Sequence, residues 1–197
     1  MLTSSFGENM DNKTKLRQQA RAMRKSLSPS ERSEKSKDVC AKLLEIIEGN
    51  KAKNIFAYIA TGSEVSLENL VKTLEKSEGK YSVSFPGAMK NGEMKALKPL
   101  SESDFKLSAH GIKAPAEERS TVVKPEELDI ILVPLLLFDE DKYRLGQGGG
   151  YYDRYLPKAK NALKIGVAFE GQRYAKLPRE PHDFPLDIIV TEDKLWL

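Results

Sequence analysis

The stretch that decides the fold is Val133 to Leu156, which reads VPLLLFDEDKYRLGQGGGYYDRYL. It passes from an apolar strand through a polar loop into a glycine-rich turn, and then into a short helical segment. Such a turn before a helix N-terminus forms an anion site, because backbone N–H groups point outward and the helix end is partly positive. Glycine also lets the backbone come close to a ligand, since no Cβ intervenes. The pattern predicts a phosphate or nucleotide site.

Two charged side chains beside this turn strengthen the prediction. Arg144 precedes it and offers a guanidinium fork that matches phosphate, while Asp153 is a candidate ligand for a Mg²⁺ ion that bridges phosphate oxygens. The GxGxxG motif fails because position 151 is Tyr, and GxxxxGK[ST] is absent. The alternative is a tight crossover that needs glycine for geometry alone. Three consecutive glycines argue against it, because they lose much backbone entropy on folding.

The composition is that of an ordinary globular domain. Of the 197 residues, 40% are hydrophobic and 31% are charged, which predicts one domain with a substantial core. The 32 basic and 29 acidic residues give a net charge of +3, too balanced to indicate a nucleic-acid partner. Cys40 is the only cysteine, which excludes an internal disulfide and favours a reducing, cytoplasmic location. No run of about 18 apolar residues predicts a membrane span.

The N-terminal region is expected to begin with a tail and continue into a basic helix. We expect residues 1–10 to be a disordered tail or a remnant of expression, and residues 11–197 to form a single α/β domain. Asp11 or Asn12 is the expected cap of a helix over 13–26, which buries an apolar stripe. The neighbouring face presents an aligned row of cations, Lys13, Arg17, Arg21 and Arg24.

Two interpretations of this basic row stay open. A solvated basic face is the commoner outcome for a run of charge. The functional hypothesis is that Lys13 and Arg17 reach the oxygens of a polyphosphate.

A second helix has clear boundaries in the sequence. Ser28 is the expected N-cap, Pro29 takes the first helical position and Glu31 completes a capping box. The helix should end at Gly49-Asn50. Cys40, beside its apolar stripe, is expected to be a small core residue.

The remaining pattern alternates strands with helices. Strands are expected over residues 54–60, 80–85, 93–98, 128–137, 164–169 and 186–191, and a polar surface excursion over 99–127. A helix over 67–78, capped by Ser66, follows the first strand. This alternation predicts a mainly parallel central sheet with helices on both faces. Glu64 then lies at the carboxyl end of a strand, where open α/β sheets bind ligands; a loop carboxylate in water is the alternative.

The segment KYRLGQGGGYYDRYL resembles the motif of the 5-formyltetrahydrofolate cyclo-ligase family, also called methenyltetrahydrofolate synthetases. Less specific matches to the family's sequence pattern occur in the family's order over about residues 11–193. They are KTKLR from Lys13 to Arg17, Glu64, Gly111-Ile112, EPHD from Glu180 to Asp183, and Leu186-Asp187.

The resemblance implies a Rossmann-like α/β sandwich and a ligase that uses ATP and Mg²⁺. It would close 5-formyltetrahydrofolate to 5,10-methenyltetrahydrofolate and release ADP and phosphate, without a nucleic-acid, membrane or obligate protein partner. Its implied catalytic residues are Arg144, Tyr152 and Glu64, and its folate-binding residues are Ile59 and Glu64. The Mg²⁺ ligands would be Asp153 and Asp183, with Asp187 as the other candidate for the second position. ATP would contact Lys13, Arg17, Arg144, Leu145, Gly146, Gln147, Gly148, Gly149, Gly150, Tyr151 and Tyr152.

The sequence departs from the family pattern at His110, Ala114 and Gly87, all on the folate side of the implied site. Two other hypotheses stay open. One is a sugar-phosphate isomerase or CoA-transferase-like enzyme that binds phosphate at the glycine turn without ATP turnover. The other is a non-catalytic nucleotide- or RNA-binding module that uses the basic first helix. The near-neutral charge and the lack of an aromatic and basic platform count against the last.

Overall fold

The computed structural model describes residues 3–87, 93–107 and 113–197, with side chains from residue 12 onward except that of Glu102. The α-helices of this part are α1 (Thr3–Ser26), α2 (Pro29–Gly49), α3 (Glu68–Glu75) and α4 (Tyr151–Tyr155). The strands are β1 (Asn54–Phe56), β2 (Ser82–Pro86), β3 (Ala96–Pro99), β4 (Phe105–Leu107), β5 (Lys113–Pro115), β6 (Ser120–Val123), β7 (Ile130–Pro134), β8 (Leu137–Phe138), β9 (Arg144–Leu145), β10 (Leu163–Val167), β11 (Ile188–Val190) and β12 (Leu195–Trp196).

The main sheet of the described residues has eight strands in the order β12-β11-β10-β7-β1-β2-β3-β6. Its centre, β2-β1-β7-β10-β11, is parallel, and β12, β3 and β6 add antiparallel edges. The α/β class and the mainly parallel sheet are therefore confirmed. The direction of winding reverses between β1 and β7, and open α/β sheets bind ligands in the crevice at the carboxyl ends of such a strand pair.

Helices cover both faces of the sheet, as predicted. Ile130 and Leu132 of β7 pack into the core that holds the buried residues of α2 and α3. Ile131 and Val133 point the other way and join a second core with Tyr155 of α4. A parallel strand buried on both faces needs an apolar residue at every position, which explains this uninterrupted apolar run.

The start of α2 confirms the predicted capping box. The Ser28 hydroxyl accepts from the Glu31 N–H at 3.2 Å, and the Glu31 carboxylate accepts from the Ser28 N–H at 2.7 Å. Pro29 takes the first helical position and the helix ends at Gly49. Cys40 is buried as expected, and burial raises the pKa of its thiol.

The predicted start of the first helix is wrong, because α1 already begins at Thr3. A residue that can cap a helix can also occupy an interior position, so Asp11 and Asn12 do not stop the helix from extending further. The division of the chain at residue 10 stays a prediction. The buried side chains Leu16 and Ala20 of α1 pack on loops that follow β7, in a cluster with Leu136, Leu137, Leu145 and Leu177. Helix α1 thus crosses the carboxyl edge of the sheet.

The surface excursion predicted over 99–127 is also wrong in part. Strand β6 pairs with β3 at the edge of the main sheet, and β4 with β5 forms a separate hairpin. Strands of three or four residues between prolines are too short to show a clear alternating pattern. The N-cap position of α3 is Leu67, one residue after the predicted cap, although the Ser66 hydroxyl accepts from the Glu68 N–H at 3.4 Å. None of the described helices combines the length and the apolar character needed to cross a bilayer.

The packing of α2 on the sheet gives a stability test. Leu43 is fully buried in the core shared with β1 and β7, so Leu43→Ala should lower the free energy of unfolding by about 2–5 kcal/mol. Urea unfolding at 25 °C measures this. Lys37→Ala, on the exposed side of the same helix, is the control and should stay within about 0.5 kcal/mol. Equal effects of the two changes would contradict the packing.

Candidate active site

A short hairpin places the glycine turn above the sheet. Strands β8 and β9 pair between the end of β7 and the turn, an arrangement that the sequence did not predict. Its loop is organised by Asp139, which is 1% exposed and accepts from the Asp141 and Tyr143 N–H groups at 3.1 Å. The same carboxylate accepts from the Leu177 N–H and from Arg179, each at 3.1 Å. This buried carboxylate is a supporting residue that sequence reasoning missed.

The glycine turn requires glycine at several positions. Gly148 and Gly150 have φ of +105° and +63°, a region that disfavours residues with a Cβ. A Cβ on Gly149 would lie 2.6 Å from the Tyr151 ring, and one on Gly150 would lie 2.6 Å from Arg154. The turn borders a cavity of about 400 Å³ whose lining is Gly148, Gly149, Gly150, Asp153, Arg154 and His182. Backbone without side chains therefore faces open space beside a carboxylate, a guanidinium and an imidazole.

Three of the four cations predicted on α1 hold this turn and the loop beside it. The Arg17 Nε donates to the Gly146 carbonyl at 3.0 Å, and Arg21 donates to the Gln147 side chain at 2.8 and 3.2 Å. Lys13 is buried, and its Nζ lies 3.0 Å from Glu180 and 2.9 Å from Asp183. The structure thus brings Lys13 and Arg17 beside the glycine turn. The solvated-face alternative does not hold for Lys13.

Arg144 and Asp153, predicted on either side of the turn, contact each other. The Arg144 guanidinium donates to the Asp153 carboxylate at 2.8 Å and to the Phe184 carbonyl at 2.9 Å. The Arg144 side chain is 4% exposed against 24% for Asp153. Burial lowers the pKa of Arg144, and the facing Asp153 carboxylate opposes this shift. This ion pair therefore links β9, before the glycine turn, to α4, after it.

Tyr152 carries a hydroxyl that lies in the interior. It is buried without a hydrogen-bond partner among the described residues, and its ring centroid lies 6.5 Å from that of Phe56. Burial raises the pKa of Tyr152, and the negative charge of Glu64 adds to the shift. Tyr152 is therefore a neutral O–H donor at ordinary pH.

The EPHD segment supplies a cluster with metal-ligand chemistry. Within the described part of the chain, ligand atoms of Glu180, His182 and Asp183 lie within 4.8 Å of one another. Asp187 instead precedes β11, at the amino edge of the sheet, where it accepts from the Lys164 N–H at 2.7 Å. Of the two carboxylates considered as the second metal ligand, Asp183 is thus the one on the side of the glycine turn.

The residues predicted on the folate side lie around the ends of β1 and β2. The Glu64 side chain is 9% exposed, so it is not a loop carboxylate in water, and one oxygen accepts from the Thr61 N–H at 3.0 Å. Ile59 is half-buried against the core. Gly87 follows β2, and a Cβ there would lie 2.6 Å from Leu97; Ala114 is in β5. His110 and the Gly111-Ile112 step lie outside the described residues.

Arg24 corrects the sequence analysis. It was expected in the aligned basic row, but its side chain is 5% exposed and lies 3.9 Å from Glu64. Met23, beside it, is half-buried. The helical spacing identified the row, but it could not show that α1 crosses the sheet edge and buries both ends of the row.

A doubly wound, mainly parallel sheet with a glycine turn and charged side chains at its carboxyl edge is an architecture typical of α/β enzymes. The sequence model of the 5-formyltetrahydrofolate cyclo-ligase family matches residues 9–192, and the chain belongs to this family.

Individual relatives agree with this membership. The 5-formyltetrahydrofolate cyclo-ligase of Haemophilus influenzae is 30% identical over 185 residues, which cover 92% of this chain and 99% of the relative. The 5,10-methenyltetrahydrofolate synthetase of Aquifex aeolicus, solved by NMR, superimposes with a TM-score of 0.81 at 35% identity, covering 93% and 91% of the two chains. That of Mycoplasma pneumoniae gives 0.75 at 27% identity, covering 91% and 98%. These relatives favour the ligase over the two other hypotheses.

The glycine turn offers a matched pair of variants. Gly150→Ala should lower the free energy of unfolding by about 1–2 kcal/mol, because alanine must adopt a left-handed φ and displace Arg154. Gly146→Ala should change it little, since a Cβ there meets nothing within 4 Å. Urea unfolding of both variants tests the turn geometry. An alanine at 150 that is tolerated as well as one at 146 would contradict it.

Proposed function

We propose that this protein closes 5-formyltetrahydrofolate to 5,10-methenyltetrahydrofolate with ATP and Mg²⁺, releasing ADP and phosphate. The observation that carries the proposal is the cavity beside the glycine turn, which is lined by bare backbone together with Asp153 and Arg154. Family membership supplies the reaction, and the turn supplies a place for a polyphosphate. Glu64 and Ile59, beyond the end of β1, are proposed to bind the folate.

The residues of this edge fit a polyphosphate with a divalent cation. The Arg17 guanidinium lies 3.4 Å from where a Cβ of Gly148 would stand, which is an ordinary contact distance, so this cation lies directly beside the turn. Asp153, Glu180 and Asp183 offer the carboxylate oxygens that Mg²⁺ prefers. A bound Mg²⁺ would neutralise phosphate charge. The Lys13 ammonium holds Glu180 and Asp183 together.

The chemistry to be performed explains this choice of residues. A formamide carbonyl is a poor electrophile, so its oxygen must become a leaving group before N10 of the folate can close the ring. In the proposed reaction, the formyl oxygen takes the terminal phosphoryl group of ATP, N10 then attacks the formyl carbon, and phosphate leaves. Phosphoryl transfer depends on positioning and charge neutralisation more than on a protein nucleophile. The glycine turn, Arg17 and Arg144 can supply both.

Tyr152 and Arg144 are the proposed catalytic residues at the transfer point. Tyr152 follows the turn directly, and its buried hydroxyl can donate to an oxygen that gains negative charge. Arg144 is held by Asp153 and the Phe184 carbonyl, so its charge is fixed before a substrate arrives. Glu64, on the other side of Tyr152, orients the folate by accepting from its N–H groups.

A spectrophotometric assay of methenyl product tests the function. We expect product only when ATP, Mg²⁺ and 5-formyltetrahydrofolate are all present. Asp153→Asn should lower kcat about 10²-fold or more at saturating ATP and Mg²⁺, because a charge that neutralises the transfer is lost. Asp187→Asn, at the opposite edge of the sheet, is the matched control and should keep normal Mg²⁺ dependence. Product without ATP, or an unimpaired Asp153→Asn, would refute the proposal.

Arg17 gives a second test of the nucleotide site. Arg17→Ala should raise the KM for ATP about tenfold, because a cation beside the turn and its bond to Gly146 are both lost. The KM for folate should change much less. Lys15→Ala, an exposed cation on the same helix, is the control with a near-normal KM. If the KM for ATP is the same in both variants, Arg17 belongs to a solvated face and does not bind the nucleotide.

A further inference from the structure

Asp139 is a buried carboxylate that the proposed reaction has not used, and its two oxygens serve two different segments. The Oδ1 atom accepts from the Asp141 and Tyr143 N–H groups, each at 3.1 Å, within the loop of the β8–β9 hairpin. The Oδ2 atom accepts from the Leu177 N–H and from the Arg179 guanidinium, each also at 3.1 Å. One carboxylate thus joins the hairpin loop to a segment that lies far along the chain.

Two further contacts accompany this side-chain link. Phe138 of β8 forms a parallel bridge with Arg173, and its carbonyl accepts from the Tyr174 N–H at 2.7 Å. The Arg179 guanidinium lies 4.0 Å from the centroid of the Tyr143 ring, so it contacts the hairpin loop beyond its bond to the carboxylate. The two segments are therefore joined by backbone, ring and carboxylate contacts.

Each of the two joined segments leads directly to a carboxylate proposed to hold the metal. On the hairpin side, Arg144 follows the loop and donates to the Asp153 carboxylate at 2.8 Å. On the other side, the Glu180 N–H donates to the Asp183 carboxylate at 2.7 Å, directly after the segment that Asp139 holds. Burial lowers the pKa of Arg144, and the negative charge of Asp183 is one of those that oppose this shift. The two segments therefore come close to each other at this end.

The position of Asp139 requires a carboxylate rather than an amide. All four groups that contact it are N–H donors, whereas an asparagine has one acceptor oxygen and two N–H donors of its own. The segment that faced the amide nitrogen would lose both hydrogen bonds, and buried donors without an acceptor are costly. Asp139 is 1% exposed and is not among the residues that line the cavity beside the glycine turn. It can therefore act on the site only through the segments that it joins.

We propose that Asp139 is a positioning residue that couples metal binding to nucleotide binding, an inference that rests on the proposed function. By fixing the hairpin loop against the segment before Glu180, it holds Asp153 and Asp183 in one arrangement before any ligand arrives. A nucleotide that brought a dication would then meet carboxylates already in place. If the two segments moved independently, the nucleotide would still find the glycine turn. The metal would then have to order the carboxylates and would add less to nucleotide binding.

The test measures how strongly Mg²⁺ tightens nucleotide binding. Calorimetry gives the dissociation constant of a non-hydrolysable ATP analogue with Mg²⁺ and with EDTA, and the ratio of the two constants measures the coupling. In the wild-type protein Mg²⁺ should tighten binding about tenfold or more. In Asp139→Asn most of this gain should be lost, while the constant in EDTA changes about threefold or less. A merely structural role would weaken binding alike under both conditions and leave the ratio unchanged.

Two further variants complete the design. Arg179→Met removes one of the two donors to Oδ2 and leaves the hairpin side intact. It should lower the ratio in the same direction, and it carries the test if Asp139→Asn fails to fold. Asp141→Asn is the matched control, because it removes an exposed carboxylate that also pairs with Arg179 but keeps the backbone N–H that donates to Asp139. Its ratio should remain that of the wild type.

The outcomes separate this inference from the function on which it rests. If the wild-type protein forms the methenyl product but Mg²⁺ tightens nucleotide binding equally in the wild type, Asp139→Asn and Arg179→Met, the inference alone is wrong. It is also wrong if Asp141→Asn lowers the ratio as much as Arg179→Met does, because the exposed ion pair would then be responsible. If the wild-type protein neither binds the ATP analogue nor forms product, the proposed function fails and the inference falls with it. A lowered ratio in Asp139→Asn and Arg179→Met with a normal ratio in Asp141→Asn supports it.

Discussion

The bonds between the cations of α1 and the loops at the carboxyl edge of the sheet hold the candidate site together. Arg17 holds Gly146 and Lys13 holds Glu180 and Asp183, although these partners lie far apart in sequence. The groups that α1 contacts in both loops are acceptors, a backbone carbonyl in one and carboxylates in the other, so their donors must come from another element. A buried ammonium between two carboxylates stabilises a specific arrangement only while both partners are present. Helix α1 thus contributes side chains that hold the candidate site in place.

This arrangement has a consequence for ligand binding. Lys13 already forms ion pairs with Glu180 and Asp183, and Arg144 already forms one with Asp153. A metal ion that approached these carboxylates alone would compete with cations fixed in place. In the proposed function, a metal that arrived with a polyphosphate would bring new negative charge beside Lys13 and Arg144. The internal ion pairs would therefore favour joint binding of metal and nucleotide over binding of metal by itself.

The sequence predicted those features that depend on local geometry. The capping box of α2 and the glycine turn follow from the short-range needs of a few residues, and the apolar run of β7 follows from burial on both faces. The burial of Arg24 depends instead on how α1 crosses the sheet. Helical spacing in the sequence does not predict that crossing. The hairpin of β8 and β9 and the edge strand β6 were missed because two to four residues cannot show a period. Asp139 was missed because its partners come together only in the folded chain.

The winding reversal between β1 and β7 explains why the two halves of the proposed chemistry can meet. The chain leaves β7 toward the glycine turn and leaves β1 toward Glu64, so in the proposed function one strand end would serve the phosphate and its neighbour the folate. Tyr152 lies between them: it follows the glycine turn, its ring is near Phe56 of β1, and the charge of Glu64 contributes to its raised pKa. A neutral hydroxyl held there lies where a phosphoryl group would pass from one strand end to the other. In the proposed function, the loops that leave these two adjacent parallel strands would bring a nucleotide and a heterocycle together.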